Sequence, residues 1–515
     1  MNADESSADP IWRMFLRQAA LAIGLAMFGA APVVAAPEPL ERPNILFILT
    51  DDQGWSSLGC YGNRIVPTRY LDQLAAAGVQ FTAAYAMPQC TPTRAALMTG
   101  QHTARTRMWH VLTKPWYGYP WAPVQEPPYR EGLPRTWHTL PKGLRAAGYA
   151  TGMAGKWHLT ANEDGDYTAL RPAAADAYGF DYVAPRGPGD INSGDKWVDH
   201  LTDEAISFIR NHRDRRWFFY LAHHTLHGEV SAPEELVAKH RKQGAPEQGL
   251  NNATYLAAIE HLDRSVGRLL AALDDLGLRK RTLVVFMSDN GGVSHSYDPR
   301  PFTDGPGVET QLTVAKREFS NAPLRGPKGS PYEGGIRVPC VVRWPDVISP
   351  AQVINTPIHV VDWLPTLWAA AQVDSPSDLQ QDGVSLLPLL RGGTLPERSL
   401  FWHVPLYDLR WAATPCAVVR RGDWKLIEYF GDRYDAHDRY TPGHHVELYH
   451  LGRDPGEATD VAAGEPERTR SLLAELHAFL RDCQAEVPGP NPHYDAARPF
   501  KETSDKPAFL RQPPP

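Results

Sequence analysis

Asn44-Ile45-Leu46-Phe47-Ile48-Leu49-Thr50 offers no position between Ile45 and Leu49 for a side chain that faces water. A continuous apolar run of this kind is the pattern of a strand buried on both faces, as in a mostly parallel sheet covered by helices. Trp217-Phe218-Phe219-Tyr220-Leu221-Ala222 and residues 282–287 repeat it. Helical patterns lie between such runs: 67–77 stopped by Gly78, 139–147 stopped by Gly148, 198–212, 255–276 and 362–371. Further strands are expected at 79–85, 150–154 and 338–344. The alternation predicts an α/β domain with a large, mostly parallel sheet flanked by helices. Ligands in such sheets gather at the carboxyl ends of strands. Asp51-Asp52, Lys156-Trp157-His158, His223-His224-Thr225-Leu226-His227 and Asp289-Asn290 all fall at those ends, which predicts one composite site.

At 515 residues the chain has room for more than one domain. From residue 396 the texture changes to short strands (401–403, 417–420, 424–429, 446–450) and a helix over 466–483. We expect a catalytic domain over 37–395, a smaller antiparallel α+β domain over 396–485 and a proline-rich tail over 486–515. Residues 1–36 read as a signal peptide. Arg13 and Arg17 precede an apolar, small-residue stretch, and Val34-Ala35-Ala36 offers a cleavage site. Gly24, Gly29 and Pro32 interrupt that stretch, which disfavours a retained membrane anchor, so an exported protein, periplasmic or secreted, is expected. Initiation at Met14 would give a more typical signal. The net charge of −7 supplies no overall basic face for nucleic acid. Five widely spaced cysteines (60, 90, 340, 416, 483) define no disulfide framework, and the odd count marks one thiol for another task.

Adjacent carboxylates at Asp51 and Asp52 repel one another unless a cation offsets them. With Asp289 and Asn290 they make a set of hard oxygen donors, suited to Ca²⁺ or Mg²⁺ rather than zinc. Turn chemistry would explain either pair taken alone. Lys156 and His158, two apart on an extended segment, would point to one side and set a fixed cation beside a titratable base. His227 lies just past a buried strand, and Lys328 in the loop before another. Pro92 suits the first turn of a helix, so the side chain at Cys90 would stand at a helix N-terminus, where negative charge is favoured.

Cys90-Thr91-Pro92-Thr93-Arg94 has the Cys-x-Pro-x-Arg form that marks type I sulfatases. The chain resembles that family, part of the alkaline-phosphatase-like superfamily, also through residues 43–52, 148–158, 288–292, Tyr332-Glu333-Gly334-Gly335-Ile336-Arg337, Gly422-Asp423-Trp424-Lys425-Leu426 and Asp454-Pro455. The resemblance implies that a formylglycine-generating enzyme oxidises Cys90 to formylglycine before folding. It implies one Ca²⁺ ion held by Asp51, Asp52, residue 90, Asp289 and Asn290. Arg94, Lys156, His158, His227 and Lys328 resemble the family's active-site bases and cations, with Asp289 as the base acting on the nucleophile. His227 is preferred to His223 and His224 because the family's histidine aligns with the last of the three. The implied activity is hydrolysis of an aryl or carbohydrate sulfate ester to alcohol and sulfate. A phosphonate monoester or phosphodiester hydrolase of the same superfamily, or a sulfated-glycan binder without catalysis, stays open as an alternative. Loops at 103–136, 186–197 and 294–320 are expected at the pocket mouth, with Trp109, Trp116, Tyr117 and Trp121 available to stack on a ring or to pack the loops. Neither the ester nor the oligomeric state is legible.

Overall fold

The computed structural model describes residues 41–112, 119–160, 166–298, 312–435 and 437–494. Nine strands make its main sheet: β1 (Asn44–Thr50), β2 (Val79–Tyr85), β3 (Ala150–Gly155), β4 (Tyr182–Val183), β5 (Trp217–Ala222), β6 (Thr282–Ser288), β7 (Arg337–Arg343), β8 (Gln352–Ile354) and β9 (Ile358–His359). Their order is β8-β2-β7-β6-β1-β5-β3-β4, with β9 also pairing β2. The strand read as buried on both faces sits inside the sheet, parallel to β5 on one side and β6 on the other. Every pairing is parallel except those of β7, which runs antiparallel to β2 and β6. A strand apolar on both faces reads the same in either direction, so this reversal left no mark in the sequence.

Both faces are covered, which is why the strands do not alternate. Leu46 and Ile48 join Leu71 and Leu74 of α1 (Arg69–Ala76), and the other helices on that side are α4 and α5, introduced next. In chain order the remaining main helices are α2 (Cys90–Thr99), α3 (Leu140–Ala146), α4 (Val198–Asn211), α5 (Ala253–Asp275) and α6 (Trp363–Ala370). Phe208 of α4 and Leu269 of α5 complete that layer. Phe47 points to the opposite face, its ring edge-on to Trp363 at 5.8 Å. Each fully buried Leu, Ile or Phe contributes about 1.5–3 kcal/mol, so the layers hold the strand ends in fixed relation. Helix limits differ from the sequence reading by one or two residues. α5 starts earlier than its apolar pattern because Asn252 caps it, accepting the Tyr255 N–H at 3.0 Å.

The later strands β10 (Ser399–Val404), β11 (Cys416–Arg421), β12 (Trp424–Tyr429) and β13 (His445–His450) form a separate antiparallel sheet. A helix, α7 (Pro466–Asp482), covers it with Leu472, Leu476 and Leu480. From Arg42 onward the chain is one compact unit. Three stretches read from sequence as loop or extended tail contain short strands. His295–Tyr297 pairs with Val314–Arg317, and Val124–Gln125 with Gly489–Pro490. Two to four residues are too few to show a period. The signal-peptide stretch lies outside the described residues, and so do Trp116, Tyr117 and the end of the tail. Among the described residues no helix is long and apolar enough to cross a membrane. All five cysteines are free thiols.

The two sheets are joined by a buried ion network. Lys425 of β12 is fully buried, with Nζ 3.1 Å from Glu333 and 2.7 Å from Glu457. Glu333 also accepts the Tyr85 hydroxyl at 2.6 Å, and its own N–H donates to Glu457 at 2.7 Å. Burial pushes Glu457 up to about 7, while Lys425, Arg420 and Arg337 outweigh burial at Glu333 and hold it down. Removing one partner of a buried pair strands the other's charge. Lys425→Ala is therefore expected to lower stability by about 3–5 kcal/mol. Urea denaturation would measure it, and a loss under about 1 kcal/mol, the scale of an exposed pair, would refute the reading.

Candidate active site

Four parallel strands bring their carboxyl ends together, and the backbone ladder runs on past them. Asp289 N–H donates to Thr50 O at 3.0 Å, Asp51 N–H to Thr225 O at 2.9 Å, and Lys156 N–H to Ala222 O at 2.8 Å. Close packing fixes these turns: a Cβ on Gly155 would strike the Ala222 carbonyl, and one on Gly291 the Gly334 carbonyl. Cys90 enters from the side as the first residue of α2, after Gln89 in extended conformation. Gly100, left-handed at φ 68°, ends that helix, and all ten of its residues are buried.

Cys90 is the centre of the cluster. Its thiol donates to Asp51 Oδ1 at 3.3 Å, and Lys328 Nζ approaches its sulfur at 3.5 Å. Asp51 Oδ2 accepts from Lys156 Nζ at 2.5 Å. Asp52 accepts from Lys328 Nζ at 2.9 Å and from Asn290 Nδ2 at 2.8 Å. Asp289 Oδ2 takes both Nε (3.1 Å) and Nη2 (2.6 Å) of Arg94. Donor atoms of Asp51, Asp52, Cys90 and Asp289 all lie within 4.8 Å of one another. The eight residues named here are thus brought together: Asp51, Asp52, Lys156, Asp289 and Asn290 from the strand ends, Cys90 and Arg94 from α2, and Lys328 from a loop.

Burial raises the Asp51 carboxyl, but Lys156, His227, Arg94 and Lys328 outweigh it and hold it well below the usual range. At Asp289 burial prevails with help from Asp51, and its carboxyl is pushed up to about 6. Burial and the Asp289 and Asp51 carboxylates push the Cys90 thiol up as well. A cysteine nucleophile needs the opposite, a depressed pKa. Arg94 and Lys328 stay charged despite burial, through Asp289 and Asp51 for the first and Asp52 for the second.

His158 reaches the site by a different route from the one expected. Its φ of 60° is left-handed, so the chain turns there and does not continue the alternation from Lys156. Its Nε2 lies 2.8 Å from the Leu112 carbonyl, which can only accept, so Nε2 carries the proton. Nδ1 is left with a lone pair and no partner in a buried position. Burial, Lys156 and Arg94 hold the ring neutral, a base ready to accept. His227 is half-buried, its ring within 4.8 Å of donor atoms of Asp51 and Cys90. Its Nδ1 bonds to the Gly228 carbonyl at 2.7 Å, leaving Nε2 available. Burial, Lys156 and Lys328 push its pKa down to about 4.

The donor set fits a hard cation. Four oxygen-bearing side chains converge, and Asn290 Oδ1 is buried with no hydrogen-bond partner. An orphaned carbonyl oxygen among carboxylates is what an oxygen-seeking cation would satisfy. Above the cluster opens a cavity of about 770 Å³. Segments 186–197 and 294–320 do supply walls, through Asn192, Lys196, Trp197, Ser296 and Lys316. Trp109 does not: it is buried with its ring edge-on to His403. His224, weighed from the sequence and set second to His227, lines the cavity edge-on to Trp197; sequence reasoning passed over Trp411, whose ring centre is 5.8 Å from Lys328 Nζ. The Leu112 carbonyl, which fixes the His158 tautomer, carries no sequence signal at all.

Residues 43–373 match the family model described as Sulfatase, and residues 328–486 match that described as N-sulphoglucosamine sulphohydrolase, C-terminal. The chain is 32% identical over 507 residues to arylsulfatase A of Homo sapiens, covering 89% of this chain and 88% of that protein. Among solved structures it is similar to Ps i-CgsB in complex with k-i-k-neocarrahexaose (TM-score 0.66, 23% identity, 88% of this chain and 95% of that one). It is also similar to the phosphonate monoester hydrolase of Agrobacterium radiobacter (TM-score 0.59, 20% identity, 90% of this chain and 100% of that one).

Proposed function

The chain belongs to the sulfatase family of sulfuric ester hydrolases, on the alkaline-phosphatase-like fold, and we propose that it hydrolyses aryl or carbohydrate sulfate esters using a formylglycine derived from Cys90 and one calcium ion. The observation that carries this reading is the buried oxygen cluster around Cys90, with Asn290 Oδ1 orphaned inside it. Asp51, Asp52, Asp289 and Asn290 would hold the calcium, which supplies a fixed positive charge that favours oxygen anions. A formylglycine hydrate at position 90 supplies an oxygen nucleophile that a protonated thiol does not. The full burial of Cys90 supports conversion by a maturation enzyme acting before the chain folds. Export through residues 1–36, and the division into 37–395, 396–485 and a tail, belong to the same proposal.

In this reading Asp289 takes the proton from the attacking oxygen of residue 90. Arg94 and Lys156 offset the charge that develops on the sulfuryl oxygens. His227 or Lys328 delivers a proton to the departing alcohol oxygen. His158, through Nδ1, accepts a proton in the step that frees sulfate.

The test is turnover by the purified protein of 4-nitrophenyl sulfate against an aryl phosphonate monoester. Sulfate is expected to be the better substrate; a preference for phosphonate would move the chain to the other hydrolase class. Chelation should remove activity, and calcium should restore it. Stoichiometric zinc with no calcium or magnesium would refute the metal assignment.

A further inference from the structure

We propose that Lys196 determines substrate specificity by binding a second anionic group, a carboxylate or a second sulfate, on the substrate whose sulfate ester lies at residue 90. The proposal rests on the sulfatase reading of the site. Lys196 lines the cavity but is only 2% exposed. It and Trp197 adopt left-handed backbone, φ 54° and 61°, a conformation that is unfavourable outside glycine. Its Nζ donates to the Glu229 carbonyl at 2.7 Å and approaches Asn192 Oδ1 at 3.4 Å. Neither partner carries charge.

The other cations of the cavity differ in this respect. Lys156 is paired with Asp51, Lys328 with Asp52, Arg186 with Asp166, Lys316 with Glu318 and Arg410 with Asp408. Among the described residues that line the cavity, Lys196 is the cation without a carboxylate. Buried charges are ordinarily paired, because an uncompensated one is expensive to desolvate. The rim pairs cancel one another, so the wall gives no general attraction for polyanions and leaves one defined point for an anion. Lys196 makes no hydrogen bond to Asp51, Asp52 or Cys90, although it is near enough to feel the charges of Asp51, Lys156 and Asp52, and it lines the same cavity as Trp197 and His224. A substrate entering sulfate-first would bring its alcohol portion to this wall. A brace between segments 186–197 and 228–230 is the competing role, and it needs no ligand.

Inorganic sulfate is the probe, titrated calorimetrically into the calcium-loaded protein carrying Cys90→Ala. Two sulfates per chain are expected, one at the catalytic cluster and a weaker one at Lys196. Adding Lys196→Met should weaken the second about 10- to 100-fold, the scale of a hydrogen bond to a charged group, while Lys196→Arg retains it. The first sulfate, still bound, reports that the variant is folded. Competition by acetate for the second site would assign it to carboxylates; no competition would assign it to sulfate. A single sulfate in both proteins, or equal weakening of both sites by Lys196→Met, overturns the proposal. Sulfate-ester turnover by the unsubstituted protein is scored separately, so failure of the sulfatase reading is not mistaken for failure of the anion site.

Discussion

Cys90→Ala is expected to lower sulfate-ester turnover on the order of 10⁶-fold, the scale seen when a catalytic nucleophile is deleted. Protein expressed without conversion, with the thiol intact, should be nearly as inactive. The reason is local. Burial, Asp289 and Asp51 all push the thiol pKa up, so the sulfur stays protonated at neutral pH and its proton is held toward Asp51. Mass spectrometry of the peptide containing residue 90 should therefore show a species lighter than the thiol form in active protein. Full turnover from entirely unmodified cysteine would sink the proposed nucleophile. Cys90→Ser should also be inactive if maturation requires a thiol. Calcium binding by Cys90→Ala, through the remaining oxygen donors, separates loss of chemistry from loss of fold.

Legibility followed the physics of each position. Asp51-Asp52 and Asp289-Asn290 were readable because both polar pairs directly follow buried strands; turn chemistry would explain either alone, and it is their joint occurrence on β1 and β6, parallel neighbours, that brings them together. Lys156 was readable for the same reason. His158 was found by a correct pairing and a wrong geometry, since its left-handed backbone cannot be inferred from Lys-Trp-His. Its tautomer depends on a backbone carbonyl in a distant loop, which any residue at 112 would supply. Lys425 and Glu333 lay in segments that matched the family without any evident task. Only the folded chain shows that they meet, 92 residues apart, to fasten one sheet to the other. Trp109 failed as a pocket candidate because an aromatic residue in a long loop is equally suited to packing, and composition does not tell the two apart. Lys196 was invisible for a different reason: its meaning comes from the carboxylate it lacks.

Replacing His227 by alanine should slow an alkyl or sugar sulfate far more than 4-nitrophenyl sulfate. An alkoxide is a strong base and leaves sulfur only with difficulty unless protonated, whereas nitrophenolate leaves almost unaided. General acid catalysis is worth about 10²–10⁴-fold, and that factor should appear only with the poor leaving group, provided chemistry limits both rates. Arg94→Ala and Lys156→Ala act at the sulfuryl end and should depress both substrates alike, on the order of 10²–10³-fold for each lost charge-bearing donor. Acidity supplies a second arm. With its pKa pushed down to about 4, His227 in the free enzyme loses its proton as pH rises through that value. The alkyl-to-aryl ratio of kcat/KM should therefore fall as pH rises above about 4 and lose this dependence in His227→Ala. Negative charge on a bound sulfate ester raises the pKa in the complex, so the corresponding fall in the ratio of kcat lies at higher pH. Equal losses on the two substrates would instead assign the proton to Lys328, already 3.5 Å from the residue 90 sulfur, or to His224 on the same cavity wall. Because each comparison is made within one variant, incomplete conversion of Cys90 cancels from the ratio.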